Sequence, residues 1–381
     1  MSSKTVVIIG ASFAGIPIAH SLLKDLPSVK VVLINPSSTF YFVIAAPRIL
    51  AKPKAFRPEQ YLLPIEKEFA RYRKDAFEFV PGAATSIDTN AKTVTVDNER
   101  TIAFDYLVIA SGSTTRSMTI EAETQVPFKL PQSGQVQPLI EEAQRKISQA
   151  TKIVIAGAGP IGVETAGEIA EAAKERGATV HITLVSATER VLPMLKPRAS
   201  EIAEQQLRQL KVEIVTSRKV TGATQAPGDS AWTVSLDNGQ SLSADMYIPT
   251  VGIVPNNGFI PQEFLDSSGW VTVDGELRVQ SKSHSTLPIF AAGDITNNSM
   301  RLSFKAVEQA AVVAANLKVE IAGKGKRRTY DQGNSMMMVV PVGSSGGTGQ
   351  MFGWVPWNML VKMVKAKDFL IGRAPGVISA S

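Results

Sequence analysis

The chain alternates short apolar runs with segments of helical periodicity, and the first such unit opens near its start. The apolar run at residues 5–9 breaks at Gly10, and apolar positions at helical spacing follow it. A second apolar run, residues 29–34, comes at the distance that a strand–helix–strand unit requires. The pattern therefore predicts a β-strand, a tight turn, an α-helix and a second, parallel β-strand.

The same pattern recurs about 147 residues later, where an apolar run at 152–156 breaks at Gly157 and the next strand is predicted at 180–185. Two such units predict two dinucleotide-binding domains and exclude an array of short repeats. Further strands are predicted to end at Gly-containing turns within 105–112, 246–252 and 289–294, and short antiparallel strands at 93–96 and 232–236.

The predicted fold class is α/β, with two Rossmann-like dinucleotide-binding domains and a small C-terminal α+β extension. The domain of the first unit is predicted to be discontinuous, and the tail to form a separate module. The predicted bounds are 1–125 with 250–325 for the first domain, 126–249 for the second and 326–381 for the extension.

Composition narrows the function classes. The 381 residues are 44% hydrophobic and 19% charged, which is typical of a globular protein, and the net charge is +6. The basic residues are scattered, which favours phosphorylated ligands over nucleic acid. The densest basic run, Lys324 to Arg328, has glycines beside it and is typical of a solvated linker.

Targeting signals are not predicted. The first strand begins too early for a secretory signal peptide, and nowhere do eighteen apolar residues run together. We expect an intracellular protein that is not secreted, either cytoplasmic or peripherally associated with a membrane such as the mitochondrial surface. The sequence predicts no metal site and no particular oligomeric state.

The first candidate cofactor motif is Gly10, Ser12 and Gly15, one substitution from the dinucleotide fingerprint G-x-G-x-x-G. Serine is small enough to let a pyrophosphate approach the backbone at the start of the helix. The acidic residue that usually holds the ribose is replaced by Asn35, which either binds a ribose hydroxyl or is only a turn residue before Pro36.

The second motif is a complete fingerprint, formed by Gly157, Gly159 and Gly162. The next strand ends at Ser186, without the acid that favours NADH, and Arg190 follows closely. The site therefore accepts NADH or NADPH, with Arg190 either attracting a 2′-phosphate or lying on the surface as an ordinary charge.

Three charged residues are candidates for work at the cofactors. Glu164 lies in the first helical turn after the second motif, where it either reaches the nicotinamide or flavin or only complements the helix dipole. Asp294 follows a strand end and can bind cofactor sugar hydroxyls. Lys305 begins a helix, where it either stabilises a reduced flavin or is solvated.

Five motifs occur in a fixed order, at 10–15, 110–113, 157–167, 250–256 and 289–294. Together they resemble the FAD and pyridine-nucleotide oxidoreductases with two dinucleotide-binding domains. Segments 35–41, 45–48, 162–168 and 346–370 are similar to the apoptosis-inducing-factor-like, mitochondrion-associated branch of ferroptosis-suppressor type and its fungal relatives. The resemblance covers essentially the whole chain.

This resemblance implies FAD and NADH or NADPH as cofactors, and it implies that Glu164 and Lys305 flank the flavin. The FAD ligands that it implies are Gly10, Ser12, Gly15, Asn35, Arg48, the backbone of Ala83, and Asp294, and the NAD(P)H ligands are Gly157, Gly159 and Gly162. Further cofactor contacts are predicted at Ala14, Ala110, Gly112, Ile161, Ser186, Arg190, Gly252 and Gly293.

The chain departs from this resemblance at two points. It contains no cysteine, so the redox-active thiol pair of disulfide reductases is missing and electrons are expected to leave the flavin directly for a diffusible acceptor. Ser2 stands where a myristoylated relative has glycine, so lipid anchoring by that route is not expected.

We therefore predict hydride transfer from NAD(P)H through flavin to a quinone-like acceptor. The alternatives are an oxidase or reductase of a biosynthetic pathway and a slowly turning over, redox-sensing interaction protein. The tail leaves another question open, because its apolar stripe either packs on the FAD domain or lies on a membrane. The stripe consists of Trp357, Leu360, Val361 and Val364.

Overall fold

The structure is a computed structural model that describes residues 4–118, 125–131, 135–225, 231–281 and 287–380. Ser2 lies outside these ranges. Within them the α-helices are α1 Gly15–Asp25, α2 Ala46–Ala51, α3 Pro58–Tyr61, α4 Ile65–Phe69, α5 Gln137–Gln149, α6 Pro160–Glu175, α7 Pro197–Gln209, α8 Ser303–Ala322, α9 Asn358–Val361 and α10 Ala374–Ser379, with a π-helical segment at Lys362–Ala366.

The strands of the same ranges are β1 Lys4–Ile9, β2 Val29–Asn35, β3 Thr39–Tyr41, β4 Leu62–Pro64, β5 Phe77–Pro81, β6 Ala84–Asp88, β7 Thr93–Val96, β8 Arg100–Ala103, β9 Tyr106–Ile109, β10 Ser113–Thr115, β11 Lys152–Ala156, β12 His181–Val185, β13 Val212–Val215, β14 Val220–Gln225, β15 Trp232–Leu236, β16 Ser241–Ala244, β17 Met246–Pro249, β18 Ile253–Pro255, β19 Ile289–Ala291, β20 Met338–Pro341 and β21 Gly347–Gln350.

The first large sheet is parallel and has the strand order β19-β9-β1-β2-β5. Val6 and Ile8 of its central strand belong to the apolar core on one face, and Val7 and Ile9 to that on the other. Burial on both faces explains why the strand is apolar throughout rather than alternating. Since β19 comes from near residue 290, both early and late segments of the chain build this sheet.

The second large sheet is also parallel, with the order β13-β12-β11-β17. Helix α6 connects β11 to β12 as the crossover of a strand–helix–strand unit. The α/β class with two Rossmann-like folds is therefore confirmed. The exact domain bounds stay predictions.

The two predicted antiparallel segments are confirmed. β7 is the middle strand of the small sheet β6-β7-β8, and β15 is the middle strand of β14-β15-β16. Each small sheet packs its apolar side chains against one of the large sheets, as Val94 and Trp232 illustrate. The parallel sheets are thereby covered on the face that the helices leave open.

The C-terminal extension is a hairpin, β20-β21, followed by short helices. The hairpin contacts α6 and α7, whereas α10 contacts α1, so the extension touches both halves of the molecule. Of the predicted apolar stripe, Val361 is fully buried, as the alternative in which the stripe packs against the protein requires. Trp357 is 63% exposed, which that alternative does not predict. None of the helices in the described part of the chain is long and apolar enough to cross a membrane.

Candidate active site

The first glycine turn packs directly against the end of a neighbouring strand. Gly10 follows β1 with φ at +106°, and its N–H donates to the carbonyl oxygen of Ile34 over 2.8 Å. A Cβ on Gly10 would lie 2.2 Å from the carbonyl oxygen of Ala110, and one on Gly15 would lie 1.9 Å from that of Gly10. Only glycine fits these positions. Because α1 begins at Gly15, its free N–H groups lie at the turn, as pyrophosphate binding requires.

Asn35 ends β2 and holds this turn through its buried amide. Its Oδ1 accepts a hydrogen bond from Ala11 N at 3.0 Å, and its Nδ2 donates to the carbonyl oxygen of Ser37 at 2.7 Å. A carboxylate could accept the first bond but could not donate the second. The predicted FAD contacts of Asn35, and of Ser12 and Ala14 within the turn, stay predictions.

Asp294 lies just beyond β19 and is held by a cation that the sequence analysis missed. Its Oδ2 accepts from Lys129 Nζ at 2.7 Å and from Ser113 Oγ at 2.9 Å. Burial acts to raise the pKa of Asp294, but the ammonium and the hydroxyl outweigh it and lower the pKa. The carboxylate is thus ionised and able to accept hydrogen bonds from the hydroxyl groups of a cofactor sugar. Gly293 precedes it and donates its N–H to Gln309.

The segments that follow β9 and β18 are tied together by Ser111 and Asn256, each of which bonds to the backbone of the other. Beside them, a Cβ on Gly112 would meet no described atom within 4 Å. Open space at this crossing leaves room for a ligand. On the other side, a Cβ on Gly252 would lie 2.8 Å from Nε of Arg116, so that glycine is required by packing.

The second glycine turn repeats the geometry of the first. Gly157 has φ at +108° and donates its N–H to the carbonyl oxygen of Val185 over 2.9 Å. A Cβ on Gly162 would lie 1.9 Å from the carbonyl oxygen of Gly157, whereas one on Gly159 would meet no described atom within 4 Å. Gly159 caps α6, so the open space lies at the helix amino end. Ile161 lies in the first turn of that helix and is partly buried.

The end of β12 places two hydroxyls and two arginines near one another. The hydroxyls of Ser186 and Thr188 both contact the carbonyl oxygen of Arg190, while Arg190 Nη2 donates to Pro193 O at 3.0 Å. Arg218, which the sequence analysis did not select, donates its backbone N–H to Ser186 O at 3.0 Å and its Nη1 to the neighbouring Ser217 O at 2.5 Å. The guanidinium of Arg190 is therefore directed to its own loop, and Arg218 is a second cation at this position.

Glu164 is buried in α6 and is paired with the C-terminal extension. Lys365 Nζ lies 2.5 Å from Glu164 Oε1. Burial is the main cause of a raised pKa for Glu164, and the Lys365 ammonium opposes it. Lys305 instead donates to Glu308 in its own helix at 2.8 Å. The sequence analysis expected Glu164 and Lys305 to flank the flavin, and the structure adds Lys365 as the partner of Glu164. The flavin contacts of Glu164 and Lys305 stay predictions.

Arg48 makes a bidentate ion pair with Glu168, one turn along α6 from Glu164. Nε and Nη2 of Arg48 each lie 2.8 Å from a carboxylate oxygen, and Nη1 donates to the carbonyl oxygen of Lys367. The guanidinium also lies 4.6 Å from the ring centre of Phe369. Arg48 therefore joins three segments of the molecule, and its predicted contact with FAD stays a prediction.

The acidic side of α6 continues beyond this pair. Lys52 Nζ lies 2.6 Å from both Glu171 Oε2 and Glu175 Oε1.

The backbone of Ala83, predicted as a ligand of FAD, is bonded to Asp97. The Ala83 N–H donates to Asp97 Oδ1, and the Ala83 carbonyl oxygen accepts from the N–H of Asp97. A FAD contact of Ala83 stays a prediction as well.

These observations fit two dinucleotides. Each large sheet has a glycine turn after an inner strand, β1 or β11, with the amino end of a helix beside the turn. In the first sheet, the ionised Asp294 follows the edge strand β19. A site of this kind defines an oxidoreductase that uses a flavin and a nicotinamide dinucleotide.

The chain belongs to the pyridine nucleotide-disulphide oxidoreductase family, whose profile matches residues 4–310. Its cofactors are accordingly FAD and NAD(P)H. Since the sequence contains no cysteine, this member lacks the thiols to which the family name refers.

The chain is similar to known proteins along nearly its whole length. It is 34% identical to the oxidoreductase ptaL of Pestalotiopsis fici, with 99% of both chains covered. It is 26% identical to ferroptosis suppressor protein 1 of Xenopus tropicalis, over 98% of this chain and 95% of that protein. The sulfide:quinone oxidoreductase of Aquifex aeolicus superimposes with a TM-score of 0.78 at 19% identity, over 99% of this chain and 92% of that one.

Proposed function

We propose that this oxidoreductase takes hydride from NADH or NADPH and delivers two electrons through FAD to a quinone-like acceptor. The observation that carries the proposal is the ion pair between the buried Glu164 and the partly buried Lys365, beside the second glycine turn. A buried ion pair costs desolvation free energy, and perturbed ionisable pairs of this kind concentrate at functional sites.

The residues that would hold the cofactors are those of the two turns and Asp294. FAD would lie on the turn from Gly10 to Gly15, and NAD(P)H on the turn from Gly157 to Gly162. When bound, FAD would accept hydride from the nicotinamide and pass two electrons on to an acceptor. The polypeptide itself orients the cofactors, excludes water and donates protons.

Protons are needed because a quinone takes up two of them with its two electrons. Lys365 holds a proton on Nζ in a partly buried position, 2.5 Å from the Glu164 carboxylate. This ammonium can donate a hydrogen bond, and then its proton, to an acceptor oxygen, while Glu164 fixes its position. A proton that the Glu164 carboxylate takes up from solvent can then replace the one that Lys365 has lost. Mutual orientation of the two groups makes the pair a proton donor without any thiol.

The acceptor class has separate support. The protein of Aquifex aeolicus that superimposes over nearly the whole chain is a sulfide:quinone oxidoreductase, and quinone is carried from that name to this chain as a proposal. The lack of cysteine removes a thiol relay as the route by which electrons leave the flavin.

A spectroscopic experiment tests the proposal. Purified protein under anaerobic conditions should be yellow, lose its colour with NADH or NADPH, and regain it with a short-chain quinone. The variant Lys365→Met should bleach normally but recolour at least about 100-fold more slowly, the scale of a lost proton donor. The matched control is Lys362→Met, which removes an exposed lysine three residues away. Equal recolouring rates for the two variants would rule out the role of Lys365.

A second candidate function is reduction or oxidation of another small molecule in a biosynthetic pathway. Rapid bleaching by NAD(P)H without recolouring by any quinone would favour this candidate. Slow bleaching by both nucleotides would favour the redox-sensing alternative.

A further inference from the structure

The outer surface of the C-terminal extension exposes large apolar side chains close together. In the described part of the chain, five of the ten large exposed apolar side chains fall within residues 352–363. Soluble surfaces rarely expose contiguous apolar patches of this kind without a binding role. We name this set the tail patch, and its members are Phe352, Trp354, Trp357, Met359 and Met363.

Part of the tail patch is a tight turn that holds an aromatic ring outward. Met351 and Trp354 exchange two backbone hydrogen bonds, of 2.9 and 3.0 Å, around Phe352 and Gly353. Phe352 has φ at +49°, a region that bulky residues rarely occupy, and is 75% exposed. The surrounding hydrogen bonds thus keep a phenylalanine at the tip of a turn where its ring contacts water.

The rest of the tail patch lies on the following helical segment. The rings of Trp354 and Trp357 stack with their centres 5.7 Å apart, and Met359 and Met363 are separated by about one helical turn. Met363 is 73% exposed, whereas Val361 is fully buried. The segment therefore has one face packed against the molecule and another that carries the two methionines and that no described residue covers.

Basic residues surround this apolar face. Lys362 is exposed between the two methionines, and Lys196 contacts the carbonyl oxygen of Gly353 in the turn. From residue 351 to 373 the chain has four basic residues and a single acidic one, Asp368. Aromatic rings and methionines with lysines at their edge match the boundary between acyl chains and anionic headgroups.

We propose that the tail patch docks this protein on the surface of an anionic lipid bilayer. Lys365 belongs to the same short segment but points inward to Glu164, so the docking surface and the candidate active site share one element. An apolar acceptor dissolved in the bilayer would then reach the candidate active site from the membrane side. That last consequence rests on the proposed function, whereas the docking itself does not.

Vesicle flotation of the full-length, FAD-loaded protein tests the docking. We expect binding to phosphatidylcholine vesicles that contain about one third phosphatidylserine, with weaker binding to pure phosphatidylcholine and at high salt. Tryptophan emission should shift to the blue on binding, because Trp354 and Trp357 are exposed while Trp232 is buried.

The decisive variant is Phe352→Ser/Trp357→Ser/Met363→Ser, whose three sites are all solvent-exposed. It should lose vesicle binding by at least about tenfold and keep its FAD content and its rate with a water-soluble quinone. The control is Val307→Ser, which removes an exposed apolar side chain on α8 and should leave binding unchanged.

Three outcomes would overturn the docking proposal. They are no binding of the wild type to either vesicle, equal binding of the triple variant, and concentration-dependent dimerisation that the triple variant abolishes, which would assign the tail patch to a second copy of the chain. Vesicle binding without quinone reduction would instead contradict only the proposed function, and quinone reduction without vesicle binding only the docking.

Discussion

Lys365 and Glu164 are 201 positions apart in the sequence, yet their side chains meet at 2.5 Å in the interior of the molecule. The lysine comes from the π-helical segment of the extension and the glutamate from the helix of the second glycine turn. Neither group has a comparable charged partner in its own element, so the extension completes the candidate active site rather than merely covering it.

Removal of the carboxylate should affect turnover and stability together. In Glu164→Gln the Lys365 ammonium stays partly buried without its counter-charge, and loss of one member of a buried pair costs about 3–5 kcal/mol. We expect a lower unfolding midpoint in urea and a quinone rate reduced about 100-fold. Glu142→Gln, which breaks an exposed pair with Arg145, is the control and should change neither by much. A normal quinone rate in Glu164→Gln would contradict the role of the pair.

The ion pair of Arg48 and Glu168 can be separated experimentally from FAD binding. Arg48→Met leaves a buried carboxylate alone and should destabilise the protein by about 3–5 kcal/mol, whereas Arg48→Met/Glu168→Leu should recover most of this loss. Arg73→Met, at an exposed pair, should cost at most about 1 kcal/mol. Urea unfolding measures all three. If the double variant folds but cannot retain FAD, Arg48 contacts the cofactor directly, as the family resemblance implied.

Asp294 should contribute to stability at neutral pH and lose that contribution in acid. Its pKa is lowered in the folded state, so the native protein binds fewer protons there than the unfolded chain. The contribution is complete above the ordinary value of 3.8 and disappears as the pH falls through the lowered pKa. Asp294→Asn should therefore flatten the acid limb of the stability profile of the FAD-free protein. An unchanged limb would show that Lys129 does not stabilise the carboxylate.

The two glycine turns should respond differently to an added methyl group. Gly10 has a positive φ, and Gly10→Ala places a Cβ against a carbonyl oxygen. This variant should therefore fail to fold into a form that binds FAD. Gly159→Ala has open space around it and should keep the fold and the flavin spectrum, but raise the KM for NAD(P)H by about tenfold as the methyl enters the nucleotide space. Steady-state kinetics and the visible spectrum distinguish them. A Gly159→Ala variant with normal KM would place the nucleotide elsewhere.

Arg218 should influence the choice of nicotinamide nucleotide. Its backbone is bonded to Ser186, at the strand end where the 2′-phosphate of NADPH is recognised in this fold. Since a hydrogen bond to a charged group contributes about 1.5–3 kcal/mol, Arg218→Ala should raise the KM for NADPH by about tenfold or more and leave that for NADH unchanged. Arg198→Ala, on an exposed helix surface, is the control. Parallel changes with both nucleotides would exclude a specificity role.

The glycine turns could be predicted from the sequence because their chemistry is local. Gly10 and Gly157 each follow a buried strand and precede a helix, with φ above +100°. A Cβ on Gly10 would collide with the Ala110 backbone, and one on Gly157 with the Val251 side chain. The spacing of the motif along the chain is therefore enough to predict these turns. The same holds for the small antiparallel sheets, whose alternation of apolar and polar residues is visible along the chain.

The charged partners could not be predicted in this way, because each lies on a distant segment. Lys129 reaches Asp294 from the connection between the two large sheets, and Lys365 reaches Glu164 from the tail, where helical periodicity identified only the apolar positions. Lys305 was preferred for its place at a helix start, but a glutamate one turn later binds its ammonium. Sequence spacing contains no signal for such pairs, which depend on how the domains and the extension pack together.

The pairing of β19 with β9 has a consequence for how the molecule is made on the ribosome. Every strand of the second large sheet has been synthesised once residue 249 emerges, whereas the first sheet still lacks its edge strand and the packing of α8 on α1. Asp294, between β19 and α8, is missing at that point as well. The nicotinamide half can therefore fold while the flavin half waits as an incomplete sheet with one open edge, and capture of FAD is expected to be among the last events in the biogenesis of this protein.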